Sequence, residues 1–359
     1  MPTPPRRTAR SAPLPAPVLR AAALLVAAAA PAQAATPVPT PAEIVAAAPA
    51  DDWAAIAADD LLVMDLAPDA AGQDRPGRPR RVVIQLLPEP FARPWIANLR
   101  QLATAGWWDG LSVNRVQDNY VVQWGDAEAE DKAKARPLPA GLSPTTEQDY
   151  AARWAPGLVP WALTPMGQTA PEVPPPSPAA PAAITAPVRD AYAAAFGFRG
   201  GFPVALGYPE GPPKAWKTVA PVQAWPIHCY GTVGVGRNMP PDAGTGAELY
   251  AVIGTPPRHL DRNIAVVGRV IEGIEHLSSL PRGTGPLGFY QSAAERTAIR
   301  TIRLGSAVPD LPRYQALSTA AASFARYVEA RANRRDTFFV KPAGGVDICN
   351  LPVPVRRAP

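Results

Sequence analysis

Between Ser112 and Asp126 the chain reads SVNRVQDNYVVQWGD, an alternating, half-apolar hairpin with a cation, Arg115, in its first arm and an amide, Gln123, in its second. Strand alternation puts Val121 and Gln123 on one face, and a tight Gln117-Asp118-Asn119 turn lets that face oppose Arg115. A guanidinium is permanently charged, planar and rigid, so it suits a reaction in which a neutral atom becomes a better acceptor at the transition state. From the hairpin alone, an Arg/Gln pair on a solvated sheet face is the plainer account. Other chemistries have less behind them. His228, His259 and His276 share no metal-ligand spacing and suit surface or supporting positions. His228 and Cys229 are adjacent, so on extended chain they point to opposite faces and make a poor nucleophile pair. No G-x-S-x-G elbow occurs, and "GTGAELY" and "GVGRN" lack the strand, glycine and helix context of a phosphate loop.

The first 34 residues carry Arg6, Arg7, Arg10 and Arg20, then an apolar run ending in Ala32-Gln33-Ala34. This is the pattern of a secretory signal peptide cut after Ala34, and it predicts a periplasmic or secreted protein. No later segment approaches the roughly 18 apolar residues of a membrane span. The net charge of +5 belongs to the leader, because its four arginines leave 31 basic against 30 acidic residues in the remainder. No nucleic-acid partner is expected. An exported chain with an even cysteine count tends to pair them, so Cys229 and Cys349 are disulfide candidates; two buried thiols are the alternative.

The roughly 325 residues after the leader can form one large or two ordinary domains. The 48 prolines in 359 residues exceed the usual ~5%, so much of the chain must be loop or extended. Residues 35–58 are expected as a linker with a short helix, because Thr40, Pro41 and Glu43 make a capping box. "LLVMDL", "RRVVIQLL", "YGTVGVG", "ELYAVIG", "IAVVGRV" and "AIRTIRL" are strand-like. "RPWIANLRQLATAG" has helical spacing, with Trp95, Leu99 and Leu102 on one face and Gly106 past its end. "EGIEHLSSL" predicts a short helix, "SPTTEQDYAARW" a capped one. "STAAASFARYVEARANRR" predicts a helix from a Ser318 cap with Phe324 and Val328 inward and Arg331, Arg334 and Arg335 near its negative end; "TFFV" and "GVDICNLPV" follow as extended pieces. "APEVPPPSPAAPAAITAP" reads as an exposed Pro/Ala loop. Many short strands and few helices predict a mainly β protein, a closed antiparallel barrel with helices at its ends.

The order of blocks adds more. "VVIQLLPEPFARPWIANLRQLATAGWWDGLSVNRVQDNYVVQWGD", "GTVGVGRN", "GAELYAVIG" and "HLDRNIAVVGRVIEG" follow one another as do the family's helix with N-F and L, then G-x-Y-x-G-x-x-F-H-R-V, Q-G-G-D, G-x-x-x-M-A-N, S-Q-F-F-I and L-D-G-x-x-x-F-G-x-V. The chain thereby resembles the cyclophilin family of peptidyl-prolyl cis-trans isomerases, from about Leu61 to Leu304. The resemblance implies a cyclophilin-like barrel over 59–308, capped by two helices, with an insertion over 127–227 and a C-terminal extension over 309–359. It also implies that the chain isomerises X-Pro bonds of proline-containing polypeptides without a cofactor.

By the same resemblance Arg115 stands at the catalytic arginine and Gln123 at the glutamine that orients it. Tyr120, Val121, Tyr250, Leu260 and Ile264 stand at positions that line the proline pocket, and Gly236 and Arg237 near the edge where substrate backbone lies. Tyr120 and Tyr250 are equally suited to plain core packing. Glu248 replaces a glutamine and brings a carboxylate able to pair with Arg115. Ile264 replaces a histidine, and His259 a tryptophan that borders the site. Val113 and Asn114 depart from F-H-R-V. The reaction asks for little else. Twisting an X-Pro amide breaks no bond but crosses about 18 to 20 kcal/mol, and the prolyl nitrogen regains a lone pair as it twists. Two expectations follow: an exported isomerase assisting protein folding, or a peptide-binding or chaperone module on the same fold with little activity.

Overall fold

Eight of the short alternating runs pair until the sheet has no free edge. They are β1 (Leu61–Leu66), β2 (Arg80–Leu86), β3 (Ser112–Val116), β4 (Val121–Gly125), β5 (Thr232–Val235), β6 (Leu249–Val252), β7 (Val266–Glu272) and β8 (Thr297–Leu304). The computed structural model describes residues 38–69, 77–153, 188–190, 192–193, 195–207 and 223–359. Neighbours run β5-β6-β4-β3-β8-β1-β2-β7, and β7 returns to β5. Every pairing in the barrel is antiparallel. The leader and the Pro/Ala tract lie outside the described residues, and among those described no helix is long and apolar enough to cross a membrane.

Inward side chains fill the barrel at period two: Leu62, Met64 and Leu66 from β1, Val122 and Trp124 from β4, Leu249 and Ala251 from β6. Helix α2 (Arg93–Thr104) adds Trp95, Leu99 and Leu102 to that core. Gly106 follows its end with φ +62°, a conformation that costs glycine least. Strand β3 breaks the alternation. Val113 and Val116 both face the core, although three residues apart, because a bulge falls between Val113 and Arg115. Asn114 fills the bulge, donating from Nδ2 to the Gly125 carbonyl at 3.0 Å and accepting from Ser112 Oγ at 2.6 Å. The extra residue turns Arg115 to the outer face without moving either valine out of the core.

A second core lies outside the barrel. The 127–227 region contributes a four-stranded antiparallel sheet from Ala152–Arg153, Gln223–Pro226, Phe202–Gly207 and Ala195–Arg199. Trp53–Ile56 pairs with Tyr314–Leu317, and that strand with Val355–Arg357. Phe196, Phe198 and Trp225 pack with Ile44 and Trp53 before the barrel and with Phe324, Tyr327, Val328 and Leu351 after it. Cys229 and Cys349 form a disulfide in this core.

Three local expectations are corrected. "SPTTEQDYAARW" forms only a 3-10 turn, Glu147–Tyr150, capped by Thr146 and Asp149. Tyr150 stacks on Trp95 at 5.6 Å, and Ala152–Arg153 is drawn into the sheet with Gln223 and Ala224. The helix Ala322–Ala332 starts after Ala321, not Ser318; Ser318 instead donates its N–H to the Asp52 carbonyl at 2.7 Å. "TFFV" forms no strand, and Phe338 and Val340 are exposed. By contrast α1 (Pro41–Ala46) has the expected capping box, Thr40 N–H to Glu43 Oε2 at 2.7 Å and Glu43 N–H to Thr40 Oγ1 at 3.2 Å.

Candidate active site

The outward residues of β3, β4 and β6 meet on one wall of the barrel. Register sets Arg115 opposite Gln123, Gln123 opposite Tyr250 and Val121 opposite Val252. Val121, Tyr250 and Val252 form a small apolar cluster, with Tyr120, Leu260 and Ile264 packed against it. Beside that cluster opens a cavity of about 420 Å³, lined also by Arg115, Gln123, Gly236, Arg237 and Glu248. A five-membered ring fits well within it.

Arg115 is held on three sides. Its Nε donates to the Leu287 carbonyl at 2.8 Å, Nη1 to Gln123 Oε1 at 3.1 Å, and Nη2 to Gln117 Oε1. The rings of Phe289 and Tyr120 lie 5.2 and 5.7 Å from the guanidinium carbon. A guanidinium has five N–H groups, so these three bonds leave two without a partner among the described residues. Burial lowers the Arg115 pKa, while Tyr120 and Glu248 act the other way; an arginine still stays charged.

Glu248 and Arg115 form no ion pair, although both line the cavity beside Gln123. Gln123 accepts from Arg115 at 3.1 Å, and its side chain favours the charged form of Glu248. Burial pushes the Glu248 pKa up, the Gln123 bond opposes this, Glu130 and Asp126 add to the rise and Arg115 opposes it. Gly236 makes room: a Cβ there would lie 3.0 Å from Glu248 Oε2. Arg237 spends its guanidinium on the carbonyls of Asn263 and Asn238.

His259 is not among the residues lining the cavity, although its neighbour Leu260 is. The 3-10 turn Arg258–Leu260 sends Leu260 to the apolar cluster and buries Arg258, and the residue between them is left exposed. Gln117, Leu287, Phe289 and Tyr290 are present without having been expected. Leu287 and Phe289 come from a loop about 170 positions downstream, brought to the site by the bridge between Arg115 and Phe289 and by the Leu287 carbonyl.

The outer wall of a closed antiparallel barrel thus sets a fixed guanidinium beside an apolar notch. Residues 81–291 match the family model described as "Cyclophilin type peptidyl-prolyl cis-trans isomerase/CLD". The chain belongs to that family and is a peptidyl-prolyl isomerase by its membership. Among solved structures it is similar to a cyclophilin from Hirschia baltica, at 19% identity and TM-score 0.56 over 86% of this chain and 94% of that one. A cyclophilin-type isomerase from Cryptosporidium parvum aligns at 10% identity and TM-score 0.34, over 68% of this chain and 97% of that one. No curated protein matches.

Proposed function

We propose that this isomerase acts on X-Pro bonds of exported proteins while they fold, with Arg115 as the catalytic group. The observation that carries the reading is the guanidinium fixed by Gln123, Gln117 and Leu287 beside the apolar notch. A proline ring would sit against Val121, Tyr120, Tyr250, Leu260 and Ile264. As the amide twists, the prolyl nitrogen pyramidalises and its lone pair becomes an acceptor for a free N–H of Arg115, an interaction that strengthens only in the transition state. Gln123 keeps the guanidinium aimed, and Gly236 and Arg237 border the substrate backbone.

One such bond contributes about 1.5 to 3 kcal/mol, whereas a rate gain of about 10⁵ requires about 7 kcal/mol. The notch must supply the remainder by holding the twisted form. The exported setting is supported by the leader-like residues 1–34 and by the Cys229–Cys349 disulfide, since disulfides persist in oxidising compartments. The test is to follow a short X-Pro peptide with the purified protein, and to determine the N-terminus and cell fraction of the protein from its host. Acceleration with a first residue of Ala35 outside the cytoplasm supports the proposal. An uncleaved chain in the cytoplasm refutes the exported role, and no acceleration refutes the isomerase role.

A further inference from the structure

Behind the notch runs a buried polar chain that the reaction itself does not use. The Tyr250 hydroxyl meets His228 Nε2 at 2.8 Å, and His228 Nδ1 meets Asp261 Oδ1 at 2.9 Å. Arg258 Nε donates to Asp261 Oδ2 at 2.7 Å, and its Nη1 and Nη2 donate to the two Asp190 oxygens at 2.9 Å each. His228 and Asp190 side chains are fully buried, and those of Arg258 and Asp261 nearly so. Asp261 is held ionised: burial alone would raise its pKa, but His228 and Arg258 outweigh this and lower it. That carboxylate accepts a hydrogen bond from Nδ1–H, which leaves Nε2 as the acceptor for Tyr250. Burial pushes the Tyr250 pKa well up, so its hydroxyl keeps the proton it donates.

A second observation points the same way. Tyr250 lies opposite Gly234 on β5, and a Cβ at Gly234 would fall 2.3 Å from the Tyr250 hydroxyl oxygen. The ring therefore crosses its neighbour strand over a bare backbone to reach His228, and the two rings stack 10° from parallel at 6.3 Å. Unbound, the ring would be free to swing toward the notch beside it. The far end of the chain is anchored outside the barrel. Asp190 follows Val188–Arg189, which pairs with Val346–Asp347 of the extension, and Cys229, next to His228, is tied to Cys349.

We infer that His228 is a positioning residue: it holds Tyr250 back as a wall of the proline notch, and the insertion and extension hold His228. This rests on the isomerase reading and deepens it. The test compares His228→Asn, which keeps a polar group near Asp261 but cannot reach Tyr250, with His228→Gln, which can. Each is made in wild type and in Tyr250→Phe. The readouts are KM and kcat on an X-Pro peptide and, separately, the Kd of that peptide by NMR titration.

His228→Asn should raise both KM and Kd about five- to tenfold in wild type, with a smaller change in kcat. His228→Gln should restore them to within twofold. In Tyr250→Phe, where no hydroxyl remains to be held, His228→Asn should change Kd by less than twofold. Equal losses in both backgrounds, or no loss in a folded His228→Asn protein, overturn the inference. A wild type that binds the peptide without accelerating it sinks the isomerase reading alone, because the Kd comparison still decides the role of His228.

Discussion

Replacing Arg115 by alanine should cost kcat and spare most of the binding. Three of its five N–H groups are committed to Leu287, Gln123 and Gln117, so the reaction can use one of the remaining two. A single charge-assisted bond is worth about 1.5 to 3 kcal/mol, and each 1.36 kcal/mol is tenfold in rate. The expected loss in kcat/KM is roughly ten- to 150-fold. Acceleration should nonetheless survive, since Val121, Tyr250, Leu260 and Ile264 are untouched. Arg115→Lys keeps the charge but not the planar fork that reaches Gln123 and Leu287 together, so it should fall between wild type and alanine. The site is half-open, and water can replace the lost bonds, so the melting temperature should hardly move. The assay is cis-trans exchange of an X-Pro tetrapeptide, followed at low temperature where the uncatalysed step is slow. If Arg115→Ala stays within twofold of wild type, or raises KM while leaving kcat intact, the guanidinium does not act in the transition state.

Other perturbations probe the surroundings. Glu248→Gln should stabilise the protein at neutral pH and much less near pH 4. The folded pKa of Glu248 lies above its ordinary 4.5, so its contribution is fully present below the unfolded pKa and is lost as pH rises through the folded one. Urea unfolding at pH 4 and pH 7.5 checks this, and equal gains at both would contradict it. Cys349→Ser opens a link across 120 positions and should cost about 2 to 5 kcal/mol; wild type in reductant should melt with the variant, and a melting point unchanged by either would show that the link carries no stability. Asp190→Ala takes one of two carboxylates from Arg258, whose side chain is 4% exposed, and should destabilise by about 3 to 5 kcal/mol. A denaturation midpoint near that of wild type would mean that Asp261 alone compensates the charge.

The barrel was legible because most of its strands are short apolar runs set between turn residues, and the order of blocks supplied what no single strand could. Arg115 and Gln123 were legible for the same reason, being eight residues apart on one hairpin. The bulge at Asn114 was not, because it is set by which side chains the core accepts. One missed element did leave a trace. "FGFRGGFPVAL" has alternating apolar arms around Gly200-Gly201, a two-residue hairpin signal, and both glycines take positive φ in the structure. Its proline-rich surroundings obscured it. The second core gave less warning, since it is assembled from a four-residue strand before the barrel and pieces more than 250 positions away.

His228 shows what such distances imply for the site. It lies in "AWPIHCYGTVGV", where Ile227, Cys229 and Val233 are all buried, and the local pattern offers no use for a polar ring. A polar side chain enclosed this way is costly unless it finds partners. Its partners, Asp261 and Tyr250, lie 33 and 22 positions away. The pattern therefore states that a partner must exist without saying which residue it is. Here the unnamed partner is the tyrosine that walls the notch, so the residue with the least local rationale in the loop between Pro226 and Thr232 is the one tied most directly to the shape of the site.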